Sequence, residues 1–214
     1  MRKPLVEKVL TQEEQDQLTP DEVIEMLKHG NRNFVSDTLT SRDHSMQVRA
    51  ATKGQYPIAI ILSCVDSRVP VEDVFDRGIG DIFVARVAGN FANTDILGSM
   101  EYACKVSGSK LVLVLGHEYC GAIKSAIDGV ELGNITPMLE NIKPAIEHFT
   151  EYPGDRASHN DDYVHLVSEQ NVRMTIEYIR NNSMILSGME KNGEIRIVGA
   201  MYDIDTAVVT FYDH

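Results

Sequence analysis

Two short stretches carry residue types that can do chemistry. In SCVDSRVP, residues 63–70, a thiol, a carboxylate and a guanidinium alternate as Cys64, Asp66 and Arg68. In GHEYCG, residues 116–121, an imidazole and a second thiol are spaced His117-x-x-Cys120. None of these side chains belongs in a core unless something pairs with it. Two thiols, an imidazole and a carboxylate make a tetrahedral zinc set. Thiolate and imidazole suit Zn²⁺ and are wrong for Mg²⁺ or Ca²⁺. Taken singly, each feature is ordinary: a buried cysteine is usually a small hydrophobe, and an Asp–Arg pair is usually a local salt bridge at a turn. The joint pattern is what points to a metal. Asp66 and Arg68 stand two apart in an extended segment, so they point the same way. Asp66 then has two uses. It can ligate the metal and close the site, or it can pair with Arg68 and leave the fourth position to water, since a bidentate guanidinium competes for the carboxylate.

The elements that must position these groups follow from periodicity. PIAIILS (57–63), DIFVARVAG (81–89) and KLVLVLG (110–116) are short continuous apolar runs, the mark of strands buried on both faces. EIRIVGAMYD (194–203) and AVVTFYD (207–213) read as closing strands joined by a tight turn, hence antiparallel to each other. Between them lie helical segments at 94–108, with Leu97, Met100 and Cys104 on one face and Gly108 as the stop, and at 120–129, 136–149 and 161–182. The helix at 120–129 starts beside Cys120, where its dipole favours the thiolate. Upstream, Thr19, Pro20 and Glu22 form an N-terminal capping signal for a helix, and a second short helix ends near Gly54. The acidic run TQEEQDQ, residues 11–17, reads as a solvated segment. The pattern predicts one α/β domain over 1–214: an N-terminal helical arm (1–54) and a core (55–214). That core has a mostly parallel central sheet of four strands, an antiparallel edge strand and helices on both faces. In such sheets ligands sit beyond the carboxyl ends of the strands where strand order reverses. Cys64 and His117 each fall just past a strand end.

Composition sets the bounds. The 214 residues are 43% hydrophobic and 24% charged, ordinary for a soluble globular domain. The net charge of −12 opposes phosphate backbones and anionic lipid, so neither a nucleic acid nor a membrane partner is expected. No run approaches the ~20 apolar residues of a membrane span, and the N-terminus lacks the apolar region of a signal peptide. The cysteines are Cys64, Cys104 and Cys120. An odd number cannot complete a disulfide framework, so a reducing cytoplasm is the expected setting.

The stretches SCVDSRVPVEDVFDRGIGDIFVARVAGN and GSMEYACKVSGSKLVLVLGHEYCGAIKSAIDG together resemble the β-class carbonic anhydrases. The similarity runs from about Gln55 to Gly129 and continues more loosely to the end. The resemblance implies one Zn²⁺ per chain held by Cys64, His117 and Cys120, with Asp66 and Arg68 as the dyad beside it. It implies that Gln55 hydrogen-bonds substrate or bicarbonate, that Phe83 and Tyr102 line the apolar pocket, and that Gly121 follows the second cysteine as in the family. Some members gate the site with bicarbonate, using a tryptophan three residues before the first cysteine. Here that position is Ile61 and the chain has no tryptophan. With Gln55, this favours the open type, in which Asp66 would join the metal only in a closed state. Ala88 is smaller than the aliphatic residue often found at its position, which makes for a roomier pocket.

The implied activity is reversible hydration of CO₂ to bicarbonate and a proton by attack of zinc-bound hydroxide. Asp66 would accept the hydroxide's hydrogen bond and Gln55 would donate to the oxygen gaining charge. Hydrolysis of CS₂ or COS on the same scaffold is the enzymatic alternative. A zinc-stabilised binding domain with Asp66 as fourth ligand is the non-enzymatic one. A thiol redox protein is disfavoured because C-x-x-C is absent. His29, His44, His148, His159, His165 and His214 are expected to have no catalytic part. The resemblance also implies a homodimer or homotetramer, with the N-terminal helices wrapping a partner and the pocket at the interface.

Overall fold

The computed structural model describes residues 5–212. Met1–Pro4 of the expected arm, Asp213 of the closing strand and His214 lie outside them. Five strands form one sheet in the order β2-β1-β3-β4-β5. They are β1 (Ala59–Ser63), β2 (Ile82–Arg86), β3 (Leu111–His117), β4 (Arg196–Tyr202) and β5 (Val209–Phe211). The first four pair in parallel, and β5 runs antiparallel to β4. The expected architecture of four parallel strands and an antiparallel edge is therefore the one observed.

Alternation along the strands builds two apolar layers. Ile60, Leu62, Val112, Val114 and Ile197 face one way. Against them pack α5 (Thr94–Glu101) and the π-helical turn Tyr102–Val106 that continues it, α9 (Asp161–Asn182) and α10 (Met184–Lys191). Leu97, Met100 and Cys104 are buried there, as their spacing predicts, and Gly108 ends the segment with φ +79°. Ala59, Ile61, Leu111, Leu113 and Val198 face the other way. That layer is closed by α2 (Pro20–Val35) and the short α4 (Val71–Val74). Val23 and Leu27 of α2 are fully buried against it, so this helix is part of its own chain's core. The close approach needs Gly30, where a Cβ would fall 1.9 Å from the Phe75 carbonyl oxygen.

The N-terminal capping box of α2 forms as expected, with Glu22 N–H donating to Thr19 Oγ1 and Thr19 N–H to the Glu22 carboxylate. α3 (His44–Ala50) and a 3-10 turn (Ala51–Lys53) end before Gly54. Three expectations are corrected. TQEEQDQ is solvated over most of its residues, as expected, but it is also a helix, α1 (Gln12–Gln17), which starts with its own Thr11–Glu14 capping box. Gln15 of α1 is buried, and its Nε2 donates to the carbonyls of Pro57 at 2.7 Å and Ser107 at 2.8 Å. The helix expected over 136–149 is two, α7 (Ile135–Leu139) and α8 (Lys143–Glu147). Pro144 lacks the N–H that would bond Glu140, and its ring would strike that carbonyl, so the chain breaks ahead of it. α10 was missing from the expectation, although Ser183 caps it by accepting Leu186 N–H. α6 (Gly121–Ile127) follows Cys120 directly. No helix among the described residues is long and apolar enough to cross a membrane.

Candidate metal centre

Strand order puts the two motifs together. From β1 the chain crosses to β2 on one side, then to β3 on the other, so β1 and β3 flank the reversal. Their parallel register pairs Ser63 with Leu115, which brings Cys64 and His117 to one crevice at the carboxyl edge. Cys120 returns to it as the residue before α6. The ligand atoms of Cys64, His117 and Cys120 all lie within 4.8 Å of one another, and all three residues are buried. The two sulfurs are 3.9 Å apart.

The donor set fits a soft divalent cation. His117 Nδ1 lies 2.8 Å from the Glu118 carbonyl, an acceptor that fixes the proton on Nδ1. Nε2 is then a bare lone pair, and it is buried with no hydrogen-bond partner. Such an orphan costs free energy unless something coordinates it. The Cys64 thiol pKa is drawn down, first by the hydrogen bond from Cys120, with the Gly89 N–H adding to it against the cost of burial. Gly89 N donates to Cys64 Sγ at 3.4 Å. The Cys120 thiol is pushed up by its neighbour Cys64 and by burial. Two thiolates side by side repel, and a dication among them removes that penalty.

Asp66 faces Arg68. Arg68 Nε and the Arg68 backbone N–H each donate to Asp66 Oδ1 at 2.9 Å, and Nη2 donates to Oδ2 at 2.7 Å. This bidentate pair holds the Asp66 carboxyl down at about 2. Oδ2 still lies 3.9 Å from His117 Nε2, at the edge of the cluster. Asp66 is thus paired with Arg68 and is not one of the three residues whose ligand atoms cluster.

The other site residues separate. Phe83 and Tyr102 come together, ring centroids 6.4 Å apart, in a groove of about 630 Å³ that also takes in Ile60, Ala85 and Ile96. Cys64, His117 and Cys120 do not line it. Gln55 is exposed and precedes β1, beside Gly80, whereas Cys64 follows β1. About 16 Å of strand, at ~3.3 Å per residue, lies between those ends. Gly121 opens α6. Ile61 is fully buried in β1.

Sequence reasoning missed three residues near the cluster. Arg86 Nε donates to the Cys64 carbonyl at 2.8 Å and Nη2 to the Asp66 carbonyl at 2.6 Å, pinning the loop that carries both. Register was the available signal, since Arg86 pairs with Ser63 at the same strand end. Tyr119 takes a left-handed backbone, φ +53°. His165 Nδ1 lies 2.6 Å from Glu118 Oε1 and does not belong to the metal-competent cluster.

A family model for carbonic anhydrase matches residues 59–209. Carbonic anhydrase 2 of Mycobacterium tuberculosis is 33% identical over 88% of this chain and 90% of its own. The carbonic anhydrase of Mycolicibacterium smegmatis is 32% identical over 88% and 91%. The fold is shared with the β-carbonic anhydrase CafA of Aspergillus fumigatus, at TM-score 0.70 and 24% identity over 90% of each chain. One of two tetrameric β-carbonic anhydrases from Sordaria macrospora aligns at TM-score 0.65 and 22% identity over 91% of this chain and 93% of its own. The α/β fold and the Cys-His-Cys cluster define a carbonic anhydrase, and this chain belongs to that family in its β class.

Proposed function

We propose that the protein catalyses the reversible hydration of CO₂ to bicarbonate and a proton with one Zn²⁺ per chain. The observation that carries this is the buried trio Cys64, His117 and Cys120 with an unpartnered imidazole nitrogen turned into it. These three side chains would hold the metal. When bound, Zn²⁺ supplies the Lewis acidity that makes water a usable hydroxide source near neutral pH. The remaining work falls to the chain. Asp66 is the hydrogen-bond acceptor at the edge of the cluster, and a carboxylate held well below the neutral range stays an acceptor throughout it. Arg68 keeps Asp66 on the substrate side. The Asp66–Arg68 geometry is why the alternative of a closed, non-catalytic zinc is set aside.

Gln55 would donate to the substrate oxygen that gains charge, and Phe83 and Tyr102 would form the apolar wall beside Gly121. Gln55 lies at the far end of β1 from Cys64, so Gln55, Phe83 and Tyr102 act on a second copy's metal centre, whereas Gly121 stays beside the Cys120 of its own chain. A homodimer, or a homotetramer built from two, is the working assembly. The whole chain, arm and core, acts as one domain, since α2 closes the same core as the sheet. Its free thiols suit a reducing cytoplasm.

The test is a pH-indicator assay of CO₂ hydration on wild type and Cys64→Ala, with metal content measured on the same samples. Wild type should carry one zinc per chain and lose activity to a chelator. Cys64→Ala should have neither zinc nor activity. Full zinc and full rate in Cys64→Ala would refute the ligand assignment.

A further inference from the structure

Tyr119 stands between two members of the cluster in a conformation that a bulky residue adopts only at a cost. Its φ is +53°. A glycine takes that region freely and an asparagine more easily, so the tyrosine side chain is there for something they cannot do. It is held on two sides. The hydroxyl donates to Asp205 Oδ2 at 2.9 Å, in the loop between β4 and β5. Lys124 Nζ, on α6, sits 5.5 Å from the ring centroid. Lys124 is tied in turn to Asp161 in the first turn of α9, at 2.9 Å. The backbone around Tyr119 is tied as well. Glu118 N–H donates to the Tyr202 carbonyl at 3.0 Å, and the Tyr119 carbonyl accepts from Arg68 Nη2 at 3.2 Å. Tyr119 links the β4–β5 loop, α6 and Arg68 to the turn that carries His117 and Cys120.

We propose that Tyr119 is a positioning residue of the metal centre: latched to Asp205 and covered by Lys124, its side chain holds the left-handed turn that aims His117 and Cys120. This rests on the zinc reading above. Its energetic logic is that of groups just outside a coordination sphere, which fix ligand directions and so govern metal retention.

The experiment follows zinc release from the loaded full-length protein to excess chromogenic chelator, together with the visible spectrum of the Co²⁺-loaded protein. Tyr119→Phe removes only the hydroxyl, and Asp205→Ala removes only its acceptor. Both should release zinc about three- to tenfold faster, a softer effect than the 10–100-fold typical of groups bonded directly to a ligand, and both should shift the cobalt bands. Asp205→Asn keeps an oxygen that accepts the hydroxyl and should match wild type in both measurements. Tyr119→Gly frees the backbone but removes the latch, and should also release faster. Wild-type release and cobalt spectra in Tyr119→Phe and Asp205→Ala would overturn the proposal. So would a Tyr119→Gly that behaves as wild type, or a lowered metal-free melting temperature with unchanged cobalt bands. A wild-type chain that takes up no zinc would instead overturn the reading on which it rests.

Discussion

Asp66 lies within reach of two partners, the Arg68 guanidinium and the edge of the Cys-His-Cys cluster, and the bidentate geometry decides for Arg68. That choice makes the residue-scale predictions specific. Asp66→Asn keeps shape but loses the carboxylate; it should retain zinc while hydration falls about 10²-fold or more, the usual size of a lost acid–base or orienting group. Metal analysis and rate on one preparation check this. Because the Asp66 carboxyl is held at about 2, below its ordinary range, it is ionised from there upward. Activity lost between pH 9 and 6.5 therefore cannot come from protonating Asp66 while it is paired with Arg68. Arg68→Ala frees the carboxylate to close on the metal, so its activity should collapse at a higher pH than wild type's. At this scale the clustering of Cys64, His117 and Cys120 and the Asp66–Arg68 pair were legible, because Cys, His, Asp and Arg cannot share a buried strand end without partners. Arg86 and Tyr119 were not. Arg86 acts through backbone carbonyls, and Tyr119 through a torsion angle, and neither leaves a mark in residue type.

Strands and long helices were legible for a different reason. Continuous apolar runs and a 3.6-residue period state their burial directly, as β1, β3 and α9 do. The N-terminal helices were harder. α1 has hardly any apolar residue, and its hold on the core is one buried amide, Gln15, bonded to two carbonyls. Gln15→Ala should destabilise the fold by about 1–3 kcal/mol, because it removes two hydrogen bonds and takes the amide donor from the Ser107 carbonyl, while the Pro57 carbonyl keeps the Ser109 hydroxyl; denaturant unfolding measures this. Asp76 plays the matching part where the segment after α2 meets α4. Burial would raise its pKa, but hydrogen bonds from Asn33, Arg42 and Thr40 outweigh that and the net shift is downward. Its side chain is 1% exposed and Arg42 Nη1 lies 2.6 Å away. Asp76→Ala should cost about 3–5 kcal/mol by leaving a buried charge unpaired. The sign with pH follows from the depressed folded value. The stabilisation is present above the unfolded pKa of ~4 and is lost as pH falls through the folded one. The gap between wild type and Asp76→Ala should narrow below pH ~4.

On the scale of the whole molecule, one chain carries a candidate metal centre with Gly121 next to it, while the other expected pocket residues, Gln55, Phe83 and Tyr102, lie away from it. Gln55 precedes β1, the Phe83–Tyr102 groove lies against β2, and the thiols sit past the carboxyl edge. No periodicity reports such a separation, since it depends on which end of a strand a residue reaches. If a second copy supplies the pocket, two defective chains can complement. Gln55→Ala and Cys64→Ala, each nearly inactive alone, should regain activity when co-expressed: about a quarter of wild type per chain after random assembly and about a half per chain in purified mixed dimers, whose one zinc sits in the one complete site. Complete inactivity of the mixed species would mean that Gln55 acts within its own chain, and full activity of Gln55→Ala alone would mean that it takes no part.

The central claim is that Cys64, His117 and Cys120 form an open zinc centre that hydrates CO₂, with Asp66 held aside by Arg68. Stopped-flow CO₂ hydration by the zinc-loaded protein from pH 6.5 to 9, with and without chelator, tests it most directly. An open centre gives chelator-sensitive activity across the range, declining smoothly toward acid. No rate above buffer at pH 9 would contradict the activity, and a collapse below about pH 8 would show that Asp66 closes on the metal.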